Sequence, residues 1–347
     1  MDGTKLIAFS LFRRSRAALF SRSAALLLGA ACVLPAQARD YGPEHPGVPA
    51  FIEQMQREHG FSAEHVQALL DQAEHQDNII KAISRPAERV KPWHEYRAIF
   101  ITDQRIERGL AFWAEHADTL ARAEKEYGVE PEVILAIIGV ETFYGRNMGS
   151  YRVLDALATL GFDYPPRADF FRKQLMSYMV LTREQQIDPL ELKGSYAGAM
   201  GYGQFIPSSY RSFAVDFDGD GFADIWENRA DAIGSVANYF AEHGWRMNET
   251  VVVRARMKSG FDEGLLNQAG LDRTVDELAE LGFSSEMPLN GCAKAVPVRL
   301  DGDKGLEYWL GLNNFYVITR YNRSILYAMA VHELSQQILE RVGEDTL

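Results

Sequence analysis

The chain has 347 residues, 47% of them hydrophobic and 24% charged, with a formal net charge of −12. That composition gives a globular protein with room for one large domain or two of ~150 residues, and it excludes a disordered chain or a fibre. The acidic balance excludes a surface built to hold nucleic acid by its phosphates.

Residues 1–38 read as a secretory signal peptide. Lys5, Arg13, Arg14, Arg16 and Arg22 precede the apolar run "AALLLGAACVL" (Ala24 to Leu34), and "AQA" (Ala36 to Ala38) supplies a small-x-small cleavage site. The run is too short for a permanent membrane span. Cleavage near Ala38 releases a soluble periplasmic protein; the alternative is a lipoprotein acylated at Cys32 and anchored to the outer membrane, the one route by which a membrane becomes a partner. Cleavage removes five basic residues and Asp2, which takes the net charge from −12 to −16. It also leaves Cys292 as the only cysteine, so the mature chain has no intrachain disulfide to stabilise it.

Residues 39–50 are rich in Pro and Gly and are expected to form a linker. Helical spacing dominates 51–127. "FSAEHVQALLDQAEHQDNIIKAIS" opens with Ser62 as N-cap and Phe61 as a hydrophobic staple, and "TDQRIERGLAFWAEHADTLARAEKEYG" is a long amphipathic helix ending at Gly128. Pro131 opens the next helix, "PEVILAIIGVETFYG", expected to end at Gly145. Its residues Ile134, Ile137, Ile138 and Glu141 fall on one stripe. A carboxylate on such a stripe is costly to ionise and holds its proton tightly. More helices follow through "ADAIGSVANYFAEHG". From Thr250 the runs "TVVVRARM", "KAVPVRLD" and "EYWLGLNNFYVITRY" read as short strands, and a final helix spans Ser324 to Val342.

"DFDGDGFADIWE", residues 216–227, places acidic groups at positions 1, 3, 5, 9 and 12 and glycine at 6, a full match to the EF-hand calcium loop. Asp216, Asp218 and Asp220 would supply oxygens, Phe222 its carbonyl, Asp224 a direct or water-mediated ligand, and Glu227 a bidentate one. A single such loop suits a structural calcium better than a switch. The blander alternative is a solvated acidic turn.

For Glu141 the blander alternative is a helix-end carboxylate paired with Arg146 or Arg152. Neither a zinc-binding histidine pair nor a G-x-S-x-G nucleophile motif is present, and no phosphate-binding loop appears. A carboxyl with a raised pKa suits a general acid.

The segments "VILAIIGVETFYGRNMG", "LKGSYAGAMGYGQFIPSSY", "VDFDGDG…DAIGSVANYF" and "FYVITRYNRSILYAMAV" together resemble the lytic murein transglycosylase B family, in order and from about Trp93 to the end. These enzymes cleave the β-1,4 bond between N-acetylmuramic acid and N-acetylglucosamine in peptidoglycan and leave 1,6-anhydromuramoyl ends. The resemblance implies an α+β, predominantly α fold. It has a flanking helical region at 51–127 and a lysozyme-like catalytic core at 128–246 that carries the EF-hand-type loop. A small β-containing region follows at 247–305, and a segment at 306–347 returns to the active site.

The resemblance makes Glu141 the single catalytic acid and then base. It places Ser195 and Gln204 beside it, and has Tyr321, Asn322 and Tyr327 close the site, with Tyr96 and Tyr239 as aromatic walls. Arg167 matches a sugar- or peptide-contacting arginine, although Pro166 stands where the family often has a second one. Gly198, Gly201 and Gly203 would let backbone approach the glycan. The tyrosines read singly are core aromatics, and Ser195 and Asn322 turn or cap residues.

Calcium is the only cofactor implied, with no organic one. Peptidoglycan glycan strands are the implied partner, with cell-wall synthesis enzymes as candidate protein partners and no nucleic acid. The rival readings are a lysozyme-type muramidase that uses water, which needs a second carboxylate, and a non-catalytic wall-binding protein.

Overall fold

A computed structural model describes residues 40–84, 91–268 and 270–345. The signal peptide and Cys32 lie outside these residues. The described chain is mostly helical with a small antiparallel sheet.

The N-terminal part holds α1 (Val48–His59), α2 (Ala63–Leu70), α3 (Asp77–Ser84) and α4 (Trp93–Phe100), followed by α5 (Asp103–Tyr127). The expected linker is packed instead: Tyr41 is fully buried, its hydroxyl 2.9 Å from Asp163 Oδ2, and α1 already starts at Val48. Ser62 caps α2 as expected, accepting from the His65 amide at 3.1 Å. The helical run after it breaks into α2 and α3. Two side chains from elsewhere capture the intervening amides, Asp155 Oδ1 from Glu74 at 3.0 Å and Thr159 Oγ1 from Gln76 at 3.1 Å.

Next comes α6 (Pro131–Thr142), in which Ile134 through Ile138 have no exposed surface. It is surrounded by α5, α10 and α13, which is why it is apolar all round. β1 (Tyr151–Arg152), α7 (Val153–Asp163), α8 (Ala168–Glu184), β2 (Lys193–Gly194), α9 (Pro207–Phe213) and α10 (Arg229–Glu242) complete the core. β1 and β2 pair antiparallel, Tyr151 opposite Gly194.

A five-stranded antiparallel sheet follows, in the order β4-β6-β7-β3-β5. Its strands are β3 (Val252–Met257), β4 (Arg273–Thr274), β5 (Phe283–Ser285), β6 (Lys294–Gly302) and β7 (Gly305–Gly311), with α11 (Val275–Glu280) between β4 and β5. β6 and β7 form a hairpin in which Val298 faces Trp309, and β7 crosses the boundary expected at residue 305. It has its own small core around Val253, Leu278, Phe283 and Leu310.

The run "EYWLGLNNFYVITRY" is only half strand: its second part is α12 (Asn313–Tyr321), and α13 (Ile325–Asp345) closes the chain. β-branched and aromatic residues favour strands only where a pleated surface receives them. Here buried Asn314 donates to the carbonyls of Arg246 (2.7 Å) and Glu249 (3.2 Å), and Phe315 and Ile318 pack one turn apart in the main core.

α6 ends at Thr142, not Gly145. Phe143, Tyr144 and Gly145 are all left-handed, with φ of 53°, 56° and 83°. For the two aromatic residues that conformation costs on the order of 1–2 kcal/mol each. Tyr144 is held by two helix glycines: a Cβ at Gly109 or Gly139 would lie 2.5 or 2.6 Å from its hydroxyl. That hydroxyl is buried with no hydrogen-bond partner among the described residues. Gly109→Ala should therefore destabilise by about 1–3 kcal/mol in urea unfolding. Tyr144→Phe alone should be close to neutral, and the double variant should recover much of the loss. Strict additivity of the two changes would contradict this packing.

Candidate active site

Glu141 sits in the last turn of α6, where the chain leaves the core. Its side chain is partly open to solvent although the rest of its stripe is sealed. Burial raises its pKa to about 7, and a hydrogen bond from the Tyr327 hydroxyl, 2.6 Å from Oε1, works against that rise. Its place at a helix C-terminus also disfavours the anion. No basic side chain pairs with it among the described residues. Arg152 instead clamps Asp155 through two contacts of 2.7 Å, and Arg146 lies over the Phe143 ring at 5.8 Å. The ion-pair alternative for Glu141 is thereby removed.

Tyr327 is buried on α13, and both burial and the nearby Glu141 charge push its phenol pKa well up. Tyr321, at the end of α12, is raised by the same two causes, and its hydroxyl donates to the Gly203 carbonyl. Tyr96 on α4 is half-buried and is raised first by burial and then by Glu141. The early helix α4 and the consecutive late helices α12 and α13 thus bring tyrosines around one carboxyl. Tyr239 stands behind them. Its ring meets Tyr321 edge-on at 4.6 Å and stacks on His243 at 4.0 Å, while its hydroxyl donates to the Arg320 carbonyl at 2.7 Å.

Ser195 Oγ accepts from the Ala199 amide at 3.1 Å, which leaves its own proton to donate. Gln204 has φ of 50° and directs its Nε2 to the carbonyls of Met148 (3.2 Å) and Gly201 (3.1 Å), leaving Oε1 to accept. Asn322 is exposed, and its Oδ1 caps the Ser324 amide at 3.1 Å, a turn role. Arg167 is exposed at the corner between α7 and α8, with its guanidinium 4.3 Å from the Phe170 ring centre. The glycines of the 198–203 segment serve the protein's own packing. A Cβ at Gly198 would strike Leu157, at Gly201 the Ile225 carbonyl, and at Gly203 the Tyr321 hydroxyl.

Sequence reasoning missed Thr142. It is fully buried, its Oγ1 lies 3.0 Å from the Tyr202 carbonyl, and it accepts from the Gly145 amide at 3.0 Å. It ties the strained turn after Glu141 to the loop that carries Gln204. Its position directly after the glutamate was the only available signal.

Carboxylate oxygens of Asp216, Asp218 and Asp220 in the 216–227 loop, between α9 and α10, and of Asp231 on α10 lie within 4.8 Å of one another. An all-oxygen set of this kind suits a hard cation such as calcium. Asp231, also unforeseen, is fully buried on α10 and accepts from the amides of Phe217 (2.7 Å) and Asp224 (2.8 Å), so it shapes the loop from inside. Asp224 Oδ1 accepts from the amides of Trp226 and Glu227, both at 2.9 Å. Asp224 and the exposed Glu227 stand outside the four-carboxylate group.

The carboxyl pKa has a consequence for stability. Glu141 keeps its proton to about pH 7 in the folded chain against an ordinary value of 4.5. Its favourable contribution is therefore complete below pH 4.5 and is lost as pH rises through 7. Glu141→Gln should gain stability relative to the parent by up to about 3 kcal/mol between pH 4.5 and pH 8. Urea unfolding at both pH values checks this, and a pH-independent difference would refute the raised pKa.

Residues 44–336 match the family described as Transglycosylase SLT domain. The chain is 46% identical over 303 residues to the membrane-bound lytic murein transglycosylase B of Escherichia coli (strain K12), covering 85% of this chain and 83% of that one. The soluble lytic transglycosylase SltB1 from Pseudomonas aeruginosa superposes with a TM-score of 0.82 at 56% identity, over 86% of this chain and all of that one. The Escherichia coli lytic transglycosylase Slt35 in complex with calcium gives 0.77 at 45% identity, over 87% and 96%. Pseudomonas aeruginosa SltB3 in complex with NAG-NAM-pentapeptide gives 0.72 at 32%, over 84% and 78%. By sequence and by fold, the chain belongs to the SLT-domain lytic transglycosylase family.

Proposed function

We propose that the chain cleaves the β-1,4 bond between N-acetylmuramic acid and N-acetylglucosamine in murein, with Glu141 as its only acid and base. The observation that carries this reading is the Glu141 carboxyl itself, part-exposed, its pKa raised to about 7, and met by one tyrosine hydroxyl with no cation paired to it among the described residues. In the first step Glu141 gives its proton to the leaving glycosidic oxygen as the bond to C1 breaks. In the second, the carboxylate takes the proton of the sugar's own O6–H as O6 closes on C1. The proton count balances, no water is consumed, and the ring formed is the 1,6-anhydro end.

An intramolecular nucleophile removes the need for the second carboxylate of ordinary glycosidases. The Tyr327 hydrogen bond favours the carboxylate that exists between the two steps, so it holds the charge where the second step needs it. Ser195 can donate to, and Gln204 accept from, an N-acetyl group. Tyr321 and Tyr96 offer ring surface beside the acid, with Tyr239 bracing Tyr321. Asn322, whose side-chain Nδ2 is not used by the cap, and Arg167 are assigned to outer contacts. Glu141→Gln keeps the shape and removes the acid, a loss of about 10²–10⁴-fold. Digestion of intact murein sacculi by the parent should release muropeptides one water lighter than hydrolysis products, and these should disappear with the variant. Reducible ends instead would mean hydrolysis.

The aspartate loop is assigned to a structural calcium held by Asp216, Asp218 and Asp220. Three exposed carboxylates this close repel one another unless a cation neutralises them. The ion would join α9 to α10, and α10 carries Tyr239. Calcium should raise the melting temperature of the parent and leave Asp216→Ala unmoved; identical melting curves with and without chelator would remove the ion from this account.

No helix among the described residues is long and apolar enough to cross a membrane. We assign the chain to the periplasm, exported by residues 1–38, with acylation of Cys32 as the alternative route to a membrane.

A further inference from the structure

A cavity of about 410 Å³ opens between α4, α13 and the β6–β7 hairpin. None of the residues placed around Glu141 lines it. Its walls carry three cations and three anions, four of them held in two pairs. On the helical wall Arg97 pairs with Glu333, Nε to Oε1 at 2.5 Å. On the sheet wall Arg254 pairs with Glu307 at 3.1 Å, and its guanidinium lies 3.9 Å from the Trp309 ring centre. Asp303 and Lys304 stand exposed at the hairpin tip.

Part-exposed ion pairs of this kind contribute little to stability, with a median of about 0–1 kcal/mol, so folding alone gives no reason to gather six charges at one opening. Room has been kept for them: a Cβ at Gly302 would lie 2.2 Å from Glu307 Oε1. Two buried polar atoms of lining residues, Trp309 Nε1 and His332 Nδ1, have no hydrogen-bond partner among the described residues. Burial lowers the His332 pKa to about 4, which leaves it neutral.

A neutral glycan is recognised by hydroxyl and amide groups and by aromatic faces, and it has no use for charges of both signs. A short peptide that carries amino and carboxylate groups uses them all. We propose that this cavity is a second binding site for the peptide portion of murein, separate from the glycan cleft and resting on the murein reading above. Arg254 and Lys304 take carboxylates, Asp303 and Glu333 take an amino group, and Trp309 packs against the peptide. α4 also bears Tyr96 and α13 also bears Tyr327, so an occupied cavity braces two helices that face Glu141.

The test titrates the free murein pentapeptide, and separately a peptide-free N-acetylglucosamine tetramer, into the full chain by calorimetry. Pentapeptide binding should saturate and weaken at least tenfold in Arg254→Gln and in Lys304→Glu. Lys304 is on an exposed turn, and the Lys304→Glu chain should unfold in urea as the parent does. Tetramer binding, and cleavage of peptide-free glycan strands to anhydro ends, should be unchanged in both variants. Absence of saturable pentapeptide binding, or equal affinity in parent and variants, overturns the proposal. A parent that makes no anhydro ends from peptide-free strands would instead sink the murein reading, and the two failures are read from separate measurements.

Discussion

The hydrogen bond from Tyr327 to Glu141 joins residues 186 positions apart, and most of the tertiary arrangement serves to make it. A carboxyl at the end of an apolar helix loses the solvation that would keep it ionised, and nothing in α6 itself replaces that solvation. The chain must come back with α12 and α13 to lay Tyr321 and Tyr327 against it. α13 therefore packs directly on α6, with Leu334 close enough that a Cβ at Gly139 would lie 3.2 Å from it. The same closeness keeps the site dry enough for a carboxyl to hold its proton near neutrality. It leaves the acid partly exposed, which proton transfer to a bound substrate requires.

The chain leaves that helix through an unfavourable turn. Left-handed backbone at Phe143 and Tyr144 persists because the surroundings over-determine it. Thr142 bonds to the turn and to the neighbouring loop. The Phe143 ring has Arg105 and Arg108 at 4.9 and 5.3 Å, and Tyr144 fills the gap that two glycines leave. A relaxed helix end at Gly145 would have carried the chain onward differently and moved the 145–149 loop away from Gln204. Strain here fixes the position of the acid relative to the groups facing it.

The loop and the sheet act at longer range. The aspartate loop sets how α9 meets α10, and Asp231 holds its backbone from within the core. α10 carries Tyr239, which supports Tyr321 through ring contact and reaches the Arg320 carbonyl. The β6–β7 hairpin lies against α4, the helix of Tyr96. Each outlying element thus bears on one of the tyrosines about the carboxyl.

The sequence by itself determined the helix of Glu141, its apolar stripe, the acidic loop and the motifs of the family, because each is a local pattern of spacing and side-chain type. It also indicated a mostly helical chain with a small β part. Only the tertiary structure decided where several elements end. The break between α2 and α3 depends on Asp155 and Thr159, and the helix at Asn313–Tyr321 depends on Asn314 meeting the segment after α10. Residue roles divided in the same way. Asn322 looked like a cleft residue and also caps a turn, Arg167 stands over the Phe170 ring, Thr142 was marked only by its place after the glutamate, and Asp231 carried no legible signal. Asp231 reaches back 14 positions to Phe217 and Thr142 reaches forward 60 to Tyr202, and a hydrogen bond over such a distance is set by how helices pack rather than by any spacing along the chain.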